Sequence, residues 1–230
     1  MSRLRDKPPR LGETFYQDSP PQLAQKLLGK LLVRQLDDGQ RLSGIVVEVE
    51  AYLSSGDQAC HSFRGPGKKN ASMFLPAGTL YVYPIHSRHC LNVVTEAEGL
   101  GSAVLVRAIE PLEGIKRLAE NRHVAAPVNS HRGDYSATWL RSLATGPGRL
   151  CQALAVDRQL DGVDLIAGAS IWFEPPPACV TARDWQSLNS PRIGISSAQD
   201  SLLRWFIDGN QLVSGCAREH SHGRTWRFTA

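Results

Sequence analysis

KLLVRQLDDGQRLSGIVVEVEAY, residues 30–52, sets two runs of strand-forming residues on either side of Asp37-Asp38-Gly39. An Asp-Gly turn between such runs is a strong short-range hairpin signal. The second arm alternates, with Val47, Val49 and Ala51 on one face and Glu48, Glu50 and Tyr52 on the other. Residues two apart on a strand lie about 6.5 to 7 Å from each other. Two carboxylates at that spacing repel by about 0.6 kcal/mol in water and about 2.4 kcal/mol at an effective dielectric of 20. Glu is seldom fully buried, so the plain reading is a solvated strand face. The alternative is the wall of a reactive pocket, in which a cation or hydrogen-bond donors must compensate the two charges.

Working outward, PPQLAQKLLGK (20–30) predicts a helix, with prolines at its start, Leu23, Leu27 and Leu28 on one face, and Gly29 at its end. Residues 53–77 carry Gly, Ser, Pro and charge without a period, which predicts a long loop of the kind that bears function. GTLYVYPI (78–85), CLNVVTE (90–96) and AVLVRAIEP (103–111) predict strands close enough in sequence to be antiparallel neighbours. Pro111 then opens a helix in PLEGIKRLAENR, a basic loop covers 123–145, and GPGRLCQALAV begins another helix. Farther on, IWFEP, ACVTAR and RWFIDG read as short strands. No βαβ rhythm appears, so the chain is expected to be α+β, a single compact domain around a curved, mostly antiparallel β-sheet with flanking helices. That domain is placed at 20–215, between a loosely held N-terminal tail (1–19) and a basic C-terminal tail (216–230).

The 230 residues are 42% hydrophobic, enough for one core. No apolar run of membrane-spanning length and no signal-peptide core occurs, so neither a membrane partner nor secretion is expected. The location is read as cytoplasmic, or nuclear in a eukaryote. Cys60, Cys90, Cys151, Cys179 and Cys216 are scattered and form no C-x-x-C pair, which points to reduced, mostly buried thiols and no structural zinc. The net charge of +4 is modest, yet 20 of the 26 basic residues are Arg, whose planar fork suits phosphate. Between Arg122 and Arg149, six Arg or His residues accompany a single acid, Asp134, and this favours an anionic partner.

Several residues could carry chemistry. Arg107 interrupts the apolar run AVLVRAI and would need a carboxylate if it faces inward. Asn92 lies on the face of Cys90 and Val94, where a buried amide needs partners. Tyr81 and Tyr83 share a face, and with Tyr52 they make either core or a pocket for a flat heterocycle, where stacking contributes about 1 to 3 kcal/mol per base. TGPGRLCQAL combines Gly146, Gly148 and Arg149 at a helix start, physically an anion site. It lacks the G-K-[ST] of a triphosphate loop. His86, His89 and Cys90, like His220 and His222, lack metal-site spacing, and the histidines read as incidental surface groups. There is no G-x-S-x-G elbow for serine hydrolysis.

Taken in order, EVEAY, DQACHS, MFLPAGTLYVY, CLNVV, VLVRAIEPLEG, TGPGRLCQAL and SPRIGI resemble the alkyladenine (3-methyladenine) DNA glycosylase family, from about residue 22 to 215. The resemblance implies a monomeric enzyme that flips an alkylated or deaminated purine out of double-stranded DNA and hydrolyses its N-glycosidic bond, without metal or cofactor. It implies that Glu50 activates the water, with Arg107 and the backbone near His61 positioning it. Tyr52, His61 and Tyr83 become the stacking walls, and Asn92 screens against the amino group of normal guanine. Gly146, Gly148 and Arg149 contact DNA, while Glu48 has no catalytic role. After YVY the family usually carries a Tyr-Gly pair whose tyrosine fills the gap left by the flipped base; here PIHSRHCLN offers His86 or Arg88 instead. Two other readings compete: a damage-binding protein with weak or no hydrolysis, and an inverting glycosidase using Glu48 and Glu50 as its carboxylate pair.

Overall fold

The structure, a computed structural model, describes residues 9–127 and 135–229. Residues 1–8 of the predicted N-terminal tail, and His131, Arg132 and Asp134 of the predicted basic loop, lie outside the described residues. The predicted hairpin is the centre of the molecule. β1 (Leu31–Gln35) and β2 (Arg41–Tyr52) pair antiparallel around the Asp-Gly turn. β2 is bonded along its other edge to β5 (Ser102–Glu113), which continues to β4 (Arg88–Thr95) and β3 (Leu80–Ile85). Beyond the end of β1, the free edge of β2 is taken by β8 (Arg204–Ile207), itself paired to β7 (Ser187–Ser190). β6 (Ile171–Glu174) closes the far side of β1. All the named strand pairings are antiparallel, and the architecture is α+β as expected.

α1 (Pro20–Leu27) begins at Ser19, whose N–H and hydroxyl both bond the Gln22 carboxamide, and it buries Leu23, Ala24 and Leu27. The chain leaves it through Gly29 at φ 78°, in the left-handed region that favours glycine. α2 (Ile115–Asn121), α3 (Ala137–Ala144) and α4 (Pro147–Ala153) add Leu118, Leu140, Leu143 and Leu150 to the same core.

Five expectations are corrected. Pro111 does not open a helix: β5 runs through it to Glu113, and α2 starts only after Gly114. ACVTAR contains the short helix α5 (Ala178–Thr181) rather than a strand. Part of the predicted basic loop is α3, started by the Ser136 hydroxyl accepting from Trp139 N–H. The described parts of the ends are not loose. Tyr16 has no exposed surface, Phe228 joins the core, and buried Glu110 accepts from Phe228 N–H, Thr229 N–H and the Thr229 hydroxyl. His220 is likewise not a surface group, since it is buried with Nδ1 accepting from Gly209 N–H. The five cysteines are free, three of them buried.

Candidate active site

Where β2 passes between β5 and β8, the ladder slips twice. Val46 pairs with Ile109 but Glu48 with Ala108, so Val47 is skipped; Val49 then pairs with Val106, so Arg107 is skipped. A bulge re-aims the side chain that carries it, and here it turns Arg107 against the carboxylate face of β2. The bulge is held from outside by the Gly146 N–H, which donates to the Arg107 carbonyl at 2.9 Å.

Neither carboxylate is solvated. Glu48 and Glu50 both have zero exposure, which overturns the plain reading of this face. Glu50 Oε1 accepts from Ile193 N–H (2.7 Å) and lies 3.2 Å from Arg107 Nη1, while Oε2 accepts from the Tyr52 hydroxyl (2.9 Å). Glu48 Oε1 accepts from Arg204 Nε (2.7 Å), Arg107 Nε (3.1 Å) and the Ser214 hydroxyl (2.6 Å), and its Oε2 from Ser214 N–H (2.8 Å). Burial alone would raise the Glu48 carboxyl, but Arg107, Arg204 and Ser214 outweigh it and hold it at about 2. Burial disfavours the Arg107 cation, yet Glu50 and Glu48 together raise it above its ordinary value. Tyr52 is pushed up by burial and by the neighbouring Glu50, so its hydroxyl remains a donor.

A cleft of about 1260 Å³ opens over this cluster. Tyr52, His61, Tyr81, Tyr83, Cys90, Asn92, Arg107 and Ile193 are among its lining residues, and Arg64, Lys68, Lys69 and Arg158 bring positive charge to it. His61 and Tyr83 meet edge to face with centroids 4.4 Å apart, and Tyr81 lies tilted 5.5 Å from Tyr83. The His61 Nδ1 is 2.9 Å from the Tyr81 hydroxyl, and desolvation holds the imidazole below its ordinary pKa, hence neutral at pH 7. Asn92 is buried, with Nδ2 donating to the Tyr81 carbonyl at 3.1 Å. Glu50 lies one layer beneath the cleft wall, since the three residues that hold it, Tyr52 and Ile193 by hydrogen bonds and Arg107 by an ion pair, all line the cleft.

The predicted residues Glu50, Tyr52, His61, Tyr83, Asn92 and Arg107 thus gather at one place. The paired-carboxylate glycosidase does not survive: all three groups that hold Glu50 line the cleft, whereas Glu48 is fixed from the far side by Arg204 and Ser214, which do not line it. Sequence reasoning missed Arg192, which donates to Asp57 through two nitrogens (2.6 and 2.7 Å) and to the Ala51 carbonyl (2.9 Å), with its guanidinium 4.6 Å from the Tyr52 ring centroid. This pair ties the loop carrying His61 to the segment carrying Ile193. Arg204, with no exposed surface, was missed as well. The Arg in SPRIGI and the one beginning RWFIDG were visible, but nothing local distinguishes them from surface arginines.

His86 and Ser87 form the tip of the β3–β4 hairpin, with His86 at φ 51°. His86 and Arg88 are exposed, as is Ile85 beside them. Gly146 starts α4 at φ 97°, a conformation that favours glycine, and Gly148 makes room for Arg88: a Cβ there would fall 2.8 Å from Arg88 Cδ. Arg149 is exposed, and Arg122 is lowered by burial and by its like-charged neighbours Arg88 and Arg149. Among the described residues, no three His, Cys, Asp or Glu gather to hold a metal, and no helix is long and apolar enough to cross a membrane.

Residues 14–211 match the family described as Methylpurine-DNA glycosylase (MPG). A protein of Rhodopirellula baltica assigned as a 3-methyladenine DNA glycosylase is 46% identical over 93% of this chain and 87% of its own length. A protein of Mesorhizobium japonicum with the same assignment is 41% identical over 94% of each chain. The DNA-3-methyladenine glycosylase of Mus musculus is 40% identical over 93% of this chain and 64% of its own length.

Proposed function

The chain belongs to the methylpurine-DNA glycosylase family, and from that premise we propose that it hydrolyses the N-glycosidic bond of alkylated or deaminated purines flipped out of double-stranded DNA, with Glu50 as the base that activates water. The observation that carries this reading is a buried carboxylate held by three groups, Tyr52, Arg107 and the Ile193 N–H, each of which also lines a ring-walled cleft. Removing a base from the stack costs a few kcal/mol. Stacking against Tyr52, His61 and Tyr83, at about 1 to 3 kcal/mol per base, offsets much of that cost.

Alkylation at N3 or N7 leaves the purine cationic and already a good leaving group. The enzyme then has to supply an oriented water and negative charge near the sugar. A positioned base contributes typically 10² to 10⁴ in rate, and an ionised Glu50 also favours the oxocarbenium-like sugar. The Tyr52 hydroxyl takes one lone pair of Oε2 and leaves the other for the water. Asn92 is fixed in the cleft wall by its N–H₂, which donates to the Tyr81 and Cys90 carbonyls (3.1 and 3.4 Å), so the 2-amino group of guanine is screened by the bulk of an amide that cannot turn aside. No lysine takes part, so the product is an abasic site with an intact backbone. Arg88, Arg122 and Arg149 hold phosphates beside the hairpin tip, where His86 fills the gap left by the flipped base. The protein acts as a monomer.

The test is base release from duplexes carrying hypoxanthine or 3-methyladenine, followed by chromatography. The wild type is expected to release free base, and Glu50→Gln to lose release by at least about 10²-fold while binding the same duplex with near wild-type affinity. Release by Glu50→Gln at the wild-type rate removes Glu50 from the mechanism. A wild type that binds damaged duplex but releases no base at any enzyme excess leaves only a binding protein.

A further inference from the structure

We propose that Glu48, through Arg107, is a positioning residue for the glycosidic hydrolysis: it grips the guanidinium by Nε so that a terminal nitrogen meets Glu50 and the other end is presented to the cleft. This rests on Glu50 being the base. Three facts support it. Arg107 gives Nε to Glu48 Oε1 at 3.1 Å but only Nη1 to Glu50 Oε1 at 3.2 Å, and among the described residues its Nη2 has no partner. Arg107 lines the cleft while Glu48 does not, so the geometry runs outward from Glu48 to Arg107 to the reacting space. Glu48 is itself fixed from the far side by Arg204 Nε and by the Ser214 hydroxyl and N–H, with no exposed surface to move into.

Without Glu48, the planar fork of Arg107 would turn to pair with Glu50 through two nitrogens, the favoured geometry for guanidinium and carboxylate. That arrangement spends both Glu50 oxygens on Arg107 and deepens the neutralisation of the base. Glu48 therefore keeps Arg107 from saturating its neighbour. The other groups facing Glu50 are Tyr52 on β2, Cys90 on β4, and Arg192 with the Ile193 N–H on the 191–196 segment. Those facing Glu48 are Arg107 on β5, Arg204 on β8 and Ser214, with Arg141 of α3 and Arg224 farther off. Replacing Glu48 by a neutral group removes a like charge from Glu50 and frees a cation toward it, and both changes favour ionised Glu50.

The experiment is single-turnover release of hypoxanthine across pH 4 to 9, with duplex affinity and thermal midpoint measured on the same samples. In Glu48→Gln the rate near pH 7 is expected to fall roughly 10- to 100-fold at unchanged duplex affinity, and the acid limb of the profile to move to lower pH by about one unit. A lower rate with the acid limb unmoved would mean a structural role only and overturns the proposal, as does a wild-type rate. Should Glu48→Gln not fold, Glu48→Asp decides. It keeps the charge, so the acid limb stays in place, but draws the carboxylate back by one methylene; a rate loss at wild-type duplex affinity and wild-type thermal midpoint supports the proposal, and a wild-type rate, or a loss that comes only with a lowered midpoint, overturns it. Wild-type protein that releases no base, or does so independently of Glu50, refutes the assignment of Glu50 instead.

Discussion

Asp57 and Arg192 are joined by two short hydrogen bonds with almost no solvent contact, and Glu48 accepts from four donors, two of them on the buried Arg107 and Arg204. Burial opposes ionisation of Asp57, but Arg192 and the N–H groups of Leu53 and Ala59 outweigh it and hold the carboxyl below its ordinary value. A carboxylate whose folded pKa is depressed contributes stability that is complete above its unfolded pKa, about 3.9 for Asp and 4.3 for Glu, and is lost as pH falls through the folded value. For Glu48, held at about 2, that contribution is on the order of 3 kcal/mol at neutral pH and vanishes below about pH 2. Urea unfolding is therefore expected to show a nearly constant midpoint from pH 7 to 5 and a steady fall from about pH 4 to 2. Asp57→Asn, which leaves Arg192 a buried cation without its partner, should lose about 3 to 5 kcal/mol at pH 7. An unchanged urea midpoint for that variant would show that the pair does not hold the His61 loop in place.

The β3–β4 hairpin ends in a two-residue turn whose first member, His86, takes φ 51°, a conformation in which a non-glycine residue costs about 1 to 2 kcal/mol. Glycine fits there without that cost, so the presence of an exposed imidazole at the tip points to use rather than to folding. His86→Gly is expected to keep or slightly raise the thermal midpoint, within about 1 kcal/mol, while weakening base release from duplex. A variant that releases base at the wild-type rate would exclude His86 as the group that fills the gap in the stack, leaving Arg88 or Ile85. The hairpins, the long loop and the antiparallel strands were legible in the sequence because Asp-Gly turns, alternation and short connections are local signals. The run through Pro111 was not, because proline ends a helix reading but is tolerated in a strand where its missing N–H is not needed. The inward turn of Arg107 was also hidden: alternation assumes an unbroken ladder, and two skipped residues, Val47 and Arg107, change which side chains share a face. The site was legible chiefly through its family likeness, since Glu50, Tyr52, His61, Tyr83, Asn92 and Arg107 lie on five separate stretches and only the fold brings them together.

Across the whole molecule, positive charge concentrates around the cleft mouth and hairpin tip although the net charge is only +4. Arg64, Lys68, Lys69 and Arg158 line the cleft, and Arg88, Arg122 and Arg149 form a mutually repelling group beside it. Like charges held that close are unfavourable in the free protein and are relieved when phosphates neutralise them, which is how a modestly basic protein can bind duplex strongly at one place. Each phosphate contact releases counterions, so the logarithm of the binding constant falls with the logarithm of salt concentration with a slope of about −0.9 per contact. Arg88→Ala and Arg149→Ala should each make that slope shallower by about 1 and weaken binding to damaged and undamaged duplex alike, because phosphate contacts position without reading the base. Base release at saturating enzyme should change far less than affinity, since neither residue touches Glu50 or its donors. Slopes equal to wild type for both variants would place the duplex on another face of the protein, whereas a change confined to damaged duplex would move these arginines from holding the backbone to recognising the lesion.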